Sequence, residues 1–288
     1  MITSSANGRI KHLITLREKS RARNKEGLFL AEGVKMFEEA PLYRLKEVYC
    51  SRNFWEQIQT GEGRYTSVRE KLCTCMERGI FVEQVSEEIF KHTSDTQTPQ
   101  GILFVMEQFS YSLDDIVQNA VGRQKEGGNP PLFLLLEDIQ DPGNLGTMLR
   151  TGEGAGVDGV IMSKGTVDIY NPKTIRSTMG SLYRVPFLYV EELGEAIDLL
   201  QQNQILVYAA HLMGERYFDE ISYQSGSAFL IGNEGNGLKK EMADKADAYL
   251  KIPMKGSLES LNAAVAAALL MYQAAGDARK GKDKKVKL

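Results

Sequence analysis

"AFLIGNEGNGL", residues 228–238, joins an unbroken apolar run to a loop crowded with glycine. A strand without polar alternation is covered on both faces, which is the habit of strands in parallel sheets. In such sheets ligands bind beyond the carboxyl ends of the strands, and Gly232 lies at that end of the run. Gly232 and Gly237 have the spacing of a phosphate loop, but Leu238 stands where that motif needs a lysine. A leucine cannot neutralise phosphate, so the glycines serve another ligand.

Similar apolar runs occur at "LFLLLED" (132–138), "GVIM" (159–162), "VPFLYV" (185–190), "ILVYAA" (205–210) and "YLKIP" (249–253). Amphipathic stretches separate them, among them "SLNAAVAAALLMYQAA" at 260–275, whose alanine and leucine content is strongly helical. The alternation predicts an α/β domain over residues 131–276, built on a parallel sheet with helices on both faces. Upstream, a helix near Arg9 to Arg23 is followed by the runs "LFLAEG" (28–33), "KEVYC" (46–50), "IFVEQV" (80–85) and "GILFVME" (101–107). These predict a small α/β sandwich over residues 1–110. "GRQKEGGNPP" (122–131) is dense in Gly and Pro, so residues 111–130 are expected to be a linker. Residues 277–288 are expected to form a basic tail.

Two domains agree with 288 residues. The formal net charge of −3 conceals basic ends. Residues 1–25 hold Arg9, Lys11, Arg17, Lys19, Arg21, Arg23 and Lys25 against Glu18 alone, and Arg279, Lys280, Lys282, Lys284, Lys285 and Lys287 oppose Asp277 and Asp283. Ends of this kind can track a polyanion such as nucleic acid. In the first segment the charges alternate with Ile10, Leu13, Ile14 and Leu16, the pattern of a helix with one buried face. Three cysteines (Cys50, Cys73, Cys75) and three histidines argue against a disulfide framework or a metal centre, and no signal peptide or membrane span is evident. A cytoplasmic protein is expected.

Three stretches place polar residues where a strand gives way to a loop or helix. In "EDIQDPGNLGTMLRTGEGAG" (137–156), Asn144 reads as a helix N-cap and Arg150 follows six residues later, where it could pair with Glu153 or face a substrate. Gly152, Gly154 and Gly156 do not form a dinucleotide fingerprint, because Val157 breaks the spacing and these glycines end a helix. Glu234 sits among the glycines of the loop after "AFLIG", either meeting a ligand or capping a helix near Gly237. Ser260 and Asn262 open the alanine-rich helix, which needs only one cap. The surplus points to a second task.

"NLGTMLRTGEGAGVDGVIM", "LIGNEGNGL" and "IPMKGSLESLNAAVAAALLMY", in this order and spacing, resemble the three motifs of the SpoU (TrmH) RNA ribose 2′-O-methyltransferases of the SPOUT class. "RIKHLITLREKSRARNKEGLFLAEGVKMFEEA" is similar to the L30e-like RNA-binding domain that precedes the catalytic domain in many members. The resemblance implies a SPOUT domain with a deep trefoil knot, S-adenosylmethionine as methyl donor, no metal and a homodimer. It places Ala210, Gly232, Asn233, Ile252, Met254 and Leu261 at the cofactor, with His211 as a further wall residue. It assigns catalysis to Arg150, assisted by Asn144, Glu234, Ser260 and Asn262. Because a guanidinium does not readily give up its proton, that residue either deprotonates transiently against a phosphate or stays charged and stabilises an alkoxide. Arg9, Lys11, Arg21 and Arg23 are expected on RNA phosphates, with 23S ribosomal RNA as substrate. The alternatives are a tRNA 2′-O-methyltransferase, a base methylase and a non-catalytic RNA-binding or ribosome-assembly protein.

Overall fold

The computed structural model describes residues 1–60, 63–257 and 260–286, with side chains up to Lys280. The tail lysines Lys282, Lys284, Lys285 and Lys287 therefore fall outside the described side chains. The chain divides into two compact units, one made of Met1–Phe109 with Asp168–Tyr183, the other of Ser110–Val167 with Arg184–Leu288.

Up to Phe109 the order is α1 (Gly8–Glu18), α2 (Ser20–Glu26), β1 (Leu28–Glu32), α3 (Val34–Glu39), β2 (Leu45–Ser51), α4 (Arg52–Thr60), α5 (Thr66–Glu77), β3 (Phe81–Val85), α6 (Glu87–Thr93) and β4 (Ile102–Glu107). The strands pair in the order β1-β4-β2-β3, antiparallel except for β2 with β3. On one face Ile10, Leu13 and Leu16 of α1 meet Leu30, Leu103 and Val105; on the other Phe37 meets Phe104 edge-on, ring centroids 5.5 Å apart. The expected single basic helix is two, separated where Lys19 turns extended at φ −114° and ψ 105°.

The chain continues through α7 (Leu113–Lys125), β5 (Leu132–Leu136), α8 (Pro142–Ala155), β6 (Gly159–Ser163) and α9 (Pro172–Thr178). It ends with β7 (Phe187–Val190), α10 (Leu193–Gln202), β8 (Leu206–Ala210), the two-residue β9 (Arg216–Tyr217), β10 (Ser227–Ile231), α11 (Lys240–Ala243), β11 (Ala248–Lys251) and α12 (Ala263–Val286). The segment 168–183, which holds α9, belongs to the first unit: α9 packs on β1, and the Tyr170 ring lies 4.7 Å from that of Phe29.

The second sheet is parallel throughout, in the order β7-β6-β5-β10-β8-β11-β9. Helices cover both faces. Phe133, Leu135, Ile161, Val207 and Leu230 pack against Ile116 and Val117 of α7 and Ile197 and Leu200 of α10, while α12 lies over α8, β5 and β10. Continuous apolar strands are the sequence counterpart of this double cover.

Residues 277–286, expected as a separate basic tail, continue α12 as helix, and the expected linker is largely helical. Within residues 111–130, α7 is a helix of this core, capped by Ser112 and burying Ile116, Val117 and Ala120. The Gly and Pro density that pointed to a linker lies past the end of that helix, at residues 127–131. Among the described residues no helix is long and apolar enough to cross a membrane.

Candidate active site

β5, β10, β8 and β11 are neighbours, so their carboxyl ends align: Leu136 pairs with Ile231, Leu230 with Ala209, and Ala210 with Leu250. Gly232, Ala210 and Ile252 thereby follow one another along a single sheet edge, each half-buried. The loop after β10 bends back on itself. Asn233 and Gly237 form an isolated bridge, and the Asn233 side chain accepts from the N–H groups of Gly235 and Asn236 at 2.9 and 3.0 Å. Its Nδ2 donates to the Asp138 carbonyl at 2.8 Å. Asn233 is thus a builder of the loop.

Glycine is required at 232. A Cβ there would lie 2.3 Å from the Gly237 carbonyl carbon and 2.4 Å from the Leu238 nitrogen, a backbone approach no side chain can relieve. Gly237 turns with φ +69°.

α8 opens on Asp141, whose side chain accepts from the Asn144 N–H at 2.8 Å, with Pro142 in the first turn. Asp141, and not Asn144, is therefore the N-cap, which leaves the Asn144 amide available. Its Nδ2 donates to Glu234 at 3.0 Å, and its Oδ1 accepts from Asn262 Nδ2 at 2.9 Å. Glu234 also accepts from the backbone N–H of Gln140 and Asp141, at 2.9 and 3.0 Å. It caps the turn into α8 and not a helix after Gly237. Burial works to raise its carboxyl, but the hydrogen bonds from Asn144, Gln140 and Asp141 prevail and hold it below the usual glutamate range.

Asn262 performs two tasks. Its Oδ1 accepts from the N–H groups of Ala264 and Val265, at 2.9 and 3.2 Å, capping α12, while its Nδ2 holds Asn144. Ser260 is exposed and half-buried Leu261 adjoins it; Met254 is half-buried after β11. Glu234, Asn144 and Asn262 thus form a continuous polar chain across all three sequence motifs.

Arg150 is exposed on α8, two turns past its start, and among the described residues nothing pairs with its guanidinium. Glu153, its candidate partner, is engaged instead by Arg184, whose Nη2 lies 3.1 Å from Oε2. Gly156 ends the helix at φ +81°, so these glycines close a helix where a dinucleotide fingerprint would open one. His211 continues the edge beyond Ala210, its ring 5.0 Å from that of Tyr249 and its Nδ1 accepting from the Met213 N–H at 3.1 Å.

Glu137, Asp138 and Lys239 were not singled out from the sequence. Glu137 Oε2 accepts from the Lys239 N–H at 2.9 Å, and Lys239 Nζ reaches Asp138 at 2.8 Å. The acidic pair directly after "LFLLL" was the available signal.

In the first unit, Lys11 and Arg21 are exposed, as are Lys19 and Lys25, and among the described residues their side chains pair with nothing. Arg9 stacks over Phe81 at 3.8 Å and pairs with Glu47 at 2.5 Å. Arg23 departs from expectation. It is 3% exposed, donates to the carbonyls of Leu16 and Arg17, and pairs with Asp168 at 2.5 and 3.0 Å. The kink at Lys19 turns it inward, which removes it from any phosphate-binding set.

The edge suits S-adenosylmethionine: apolar ends of adjacent strands beside a backbone-lined glycine loop match an adenosine and a methionine chain. Comparison with known proteins agrees. Residues 131–272 match the SpoU rRNA Methylase family, and residues 7–103 the MRM3-like substrate binding domain. The chain is 34% identical over 275 residues, 96% of its length and 99% of the relative's, to the 23S rRNA (guanosine(2553)-2′-O)-methyltransferase RlmP of Bacillus subtilis. Among solved structures, an rRNA methyltransferase from Sinorhizobium meliloti superposes with a TM-score of 0.80 at 27% identity, covering 97% of both chains. The AdoMet-bound form of that enzyme gives 0.78, with the same identity and coverage.

Proposed function

The chain belongs to the SpoU rRNA methylase family, and from that membership we propose that it methylates a ribose 2′-hydroxyl of 23S ribosomal RNA, with Arg150 as the catalytic residue. It is an S-adenosylmethionine-dependent RNA methyltransferase. The observation that carries the catalytic assignment is the exposed guanidinium of Arg150, unpaired among the described residues, on the helix whose first turn is held by the Glu234–Asn144–Asn262 chain.

When bound, the cofactor supplies a methyl group on a sulfonium, already electrophilic enough to need no metal. The residues of this chain must place the ribose oxygen in line with that carbon and stabilise the charge left as its proton departs to solvent or an RNA phosphate. A guanidinium keeps its proton and donates, so Arg150 stabilises the developing alkoxide. Asn144 and Asn262, already bonded to each other, fix the opening of α8 and with it the helix that bears Arg150. Gly232, Ala210, Ile252, Met254 and Leu261 line the cofactor, and Asn233 shapes the loop it lies on. Ser260, exposed beside Asn262, meets the ribose.

The first unit binds the RNA through Lys11 and Arg21 of its basic helices, with Arg9 at their edge, using phosphate contacts that leave target choice to RNA shape. A homodimer accounts for the exposed apolar stripe Val265 (49%), Leu269 (39%) and Tyr272 (51%) along α12. The strand order β5-β10-β8-β11, in which a late strand inserts beside the earliest, supports the trefoil knot implied by the family. A cytoplasmic location follows from the substrate.

Tritiated methyl transfer from S-adenosylmethionine to ribosomal RNA, tRNA and ribosomal particles from cells lacking this protein, followed by nucleoside analysis, tests the reading. A 2′-O-methylated nucleoside in 23S RNA is expected. Label confined to tRNA, or on a base, would overturn the target.

A further inference from the structure

Two carboxylates fasten the loop after β10, one from each side. Glu234, in the loop, accepts backbone N–H groups from the turn before α8. Glu137, where β5 ends, does the reverse: its Oε2 accepts the Lys239 N–H at 2.9 Å, and Lys239 Nζ lies 3.7 Å from its other oxygen. Glu137 is 3% exposed. Burial raises its carboxyl above the usual range, outweighing the hydrogen bond and charge of Lys239. Its ionised form therefore opposes folding as pH rises through that raised value, whereas a glutamine would accept the same N–H without a buried charge.

The place where Glu137 acts matters more than its charge. Leu238 and Gly237 press against Gly232, so the returning backbone of the loop supports the strand end that precedes it. The bond to the Lys239 N–H is the tie at the far end of that return. Asp138, at φ +54°, turns the chain directly after Glu137 and takes Lys239 Nζ at 2.8 Å.

We propose that Glu137 is a positioning residue for the cofactor: by holding the Lys239 N–H it fixes the return of the 232–239 loop and hence the backbone at Gly232. The inference rests on the reading that Gly232 lines the cofactor cleft.

Calorimetric titration of S-adenosylmethionine into the full-length protein and its variants tests it. Lys239 has φ −63°, a proline-compatible value, so Lys239→Pro removes the donor while Lys239→Ala removes only the ammonium. Glu137→Leu removes the acceptor. Glu137→Leu and Lys239→Pro should each weaken binding about tenfold, the scale of one lost buried hydrogen bond. Lys239→Ala should stay near wild type. The double variant Glu137→Leu/Lys239→Pro should be no weaker than the worse single one, because both remove one bond. Turnover at saturating cofactor should fall less than cofactor affinity in Glu137→Leu, because Glu234 keeps its own bonds to the turn before α8. Glu137→Gln, which keeps the acceptor and guards against misfolding of the leucine variant, should bind as wild type and melt no lower.

Unchanged binding in both Glu137→Leu and Lys239→Pro, multiplying losses in the double variant, or a loss in Glu137→Gln equal to that in Glu137→Leu would overturn the role. Wild-type affinity in Gly232→Ala would instead remove the cofactor-site reading, and this inference with it.

Discussion

Asn262 Nδ2 donates to Asn144 Oδ1 at 2.9 Å, joining residues 118 positions apart and tying the start of α12 to the start of α8. Because Asn262 Oδ1 simultaneously caps α12, its two functions separate chemically. Asn262→Asp keeps the cap and loses the donor, so melting should stay within a few degrees of wild type while turnover falls at least tenfold. Asn262→Ala loses both, adding about 1 kcal/mol of destabilisation. Thermal melts alongside steady-state methyl transfer check the pair; a turnover loss tracking only the melting temperature would assign Asn262 a purely structural role.

Glu234 has a depressed carboxyl, so it contributes stability that is complete above the ordinary glutamate value of about 4.3 and lost as pH falls through the lower folded value. Three donors converge on it, and a glutamine offers one acceptor oxygen in place of two. Glu234→Gln should be less stable than wild type at neutral pH, with the difference shrinking toward pH 3. Melting curves over a pH series measure it.

Much of the architecture was legible because burial on both faces leaves a plain trace: six apolar runs of the second half are its six longer strands, from "LFLLL" to "AYLK". The parallel sheet followed from that trace. α7 was obscured because its Leu113, Ile116, Val117 and Ala120 face precedes a Gly- and Pro-rich end. At the site, residue types were readable and their pairings were not. Asp141 and Asn144 are both good caps, and only the backbone geometry decides that Asp141 serves while Asn144 binds Glu234. Arg23 looked like its neighbours in a basic helix, and a change of direction at Lys19 buried it.

The basic residues of the first unit should therefore behave differently from one another. Arg23→Ala breaks a buried pair with Asp168 and should cost about 3–5 kcal/mol in denaturant unfolding. Lys11→Ala and Arg21→Ala should leave stability nearly unchanged and each reduce the salt slope of RNA binding by about 1. Filter-binding titrations across salt concentrations distinguish the two classes.

Gly232→Ala brings a methyl group against the backbone of Gly237 and Leu238, with the nearest atom 2.3 Å away. The loop must move, and cofactor affinity should fall more than tenfold with less effect on RNA binding. Calorimetry with S-adenosylmethionine and separate RNA titrations read the two affinities.

Arg150 is exposed, and among the described residues its guanidinium makes no ion pair or hydrogen bond, so its replacement should act on chemistry alone. Arg150→Lys should keep the cofactor affinity and melting temperature of the wild type and lose most of its turnover, because an ammonium cannot reproduce the geometry of the guanidinium fork. Single-turnover transfer at saturating cofactor isolates the step.

Methylation of 23S RNA through Arg150 is decided by mass spectrometry of ribosomal RNA from cells lacking this protein, complemented with wild type or with Arg150→Ala expressed at equal level. One 2′-O-methylated nucleotide in 23S RNA should be absent in the deletion, restored by wild type and missing with Arg150→Ala. Full restoration by Arg150→Ala would contradict the assignment.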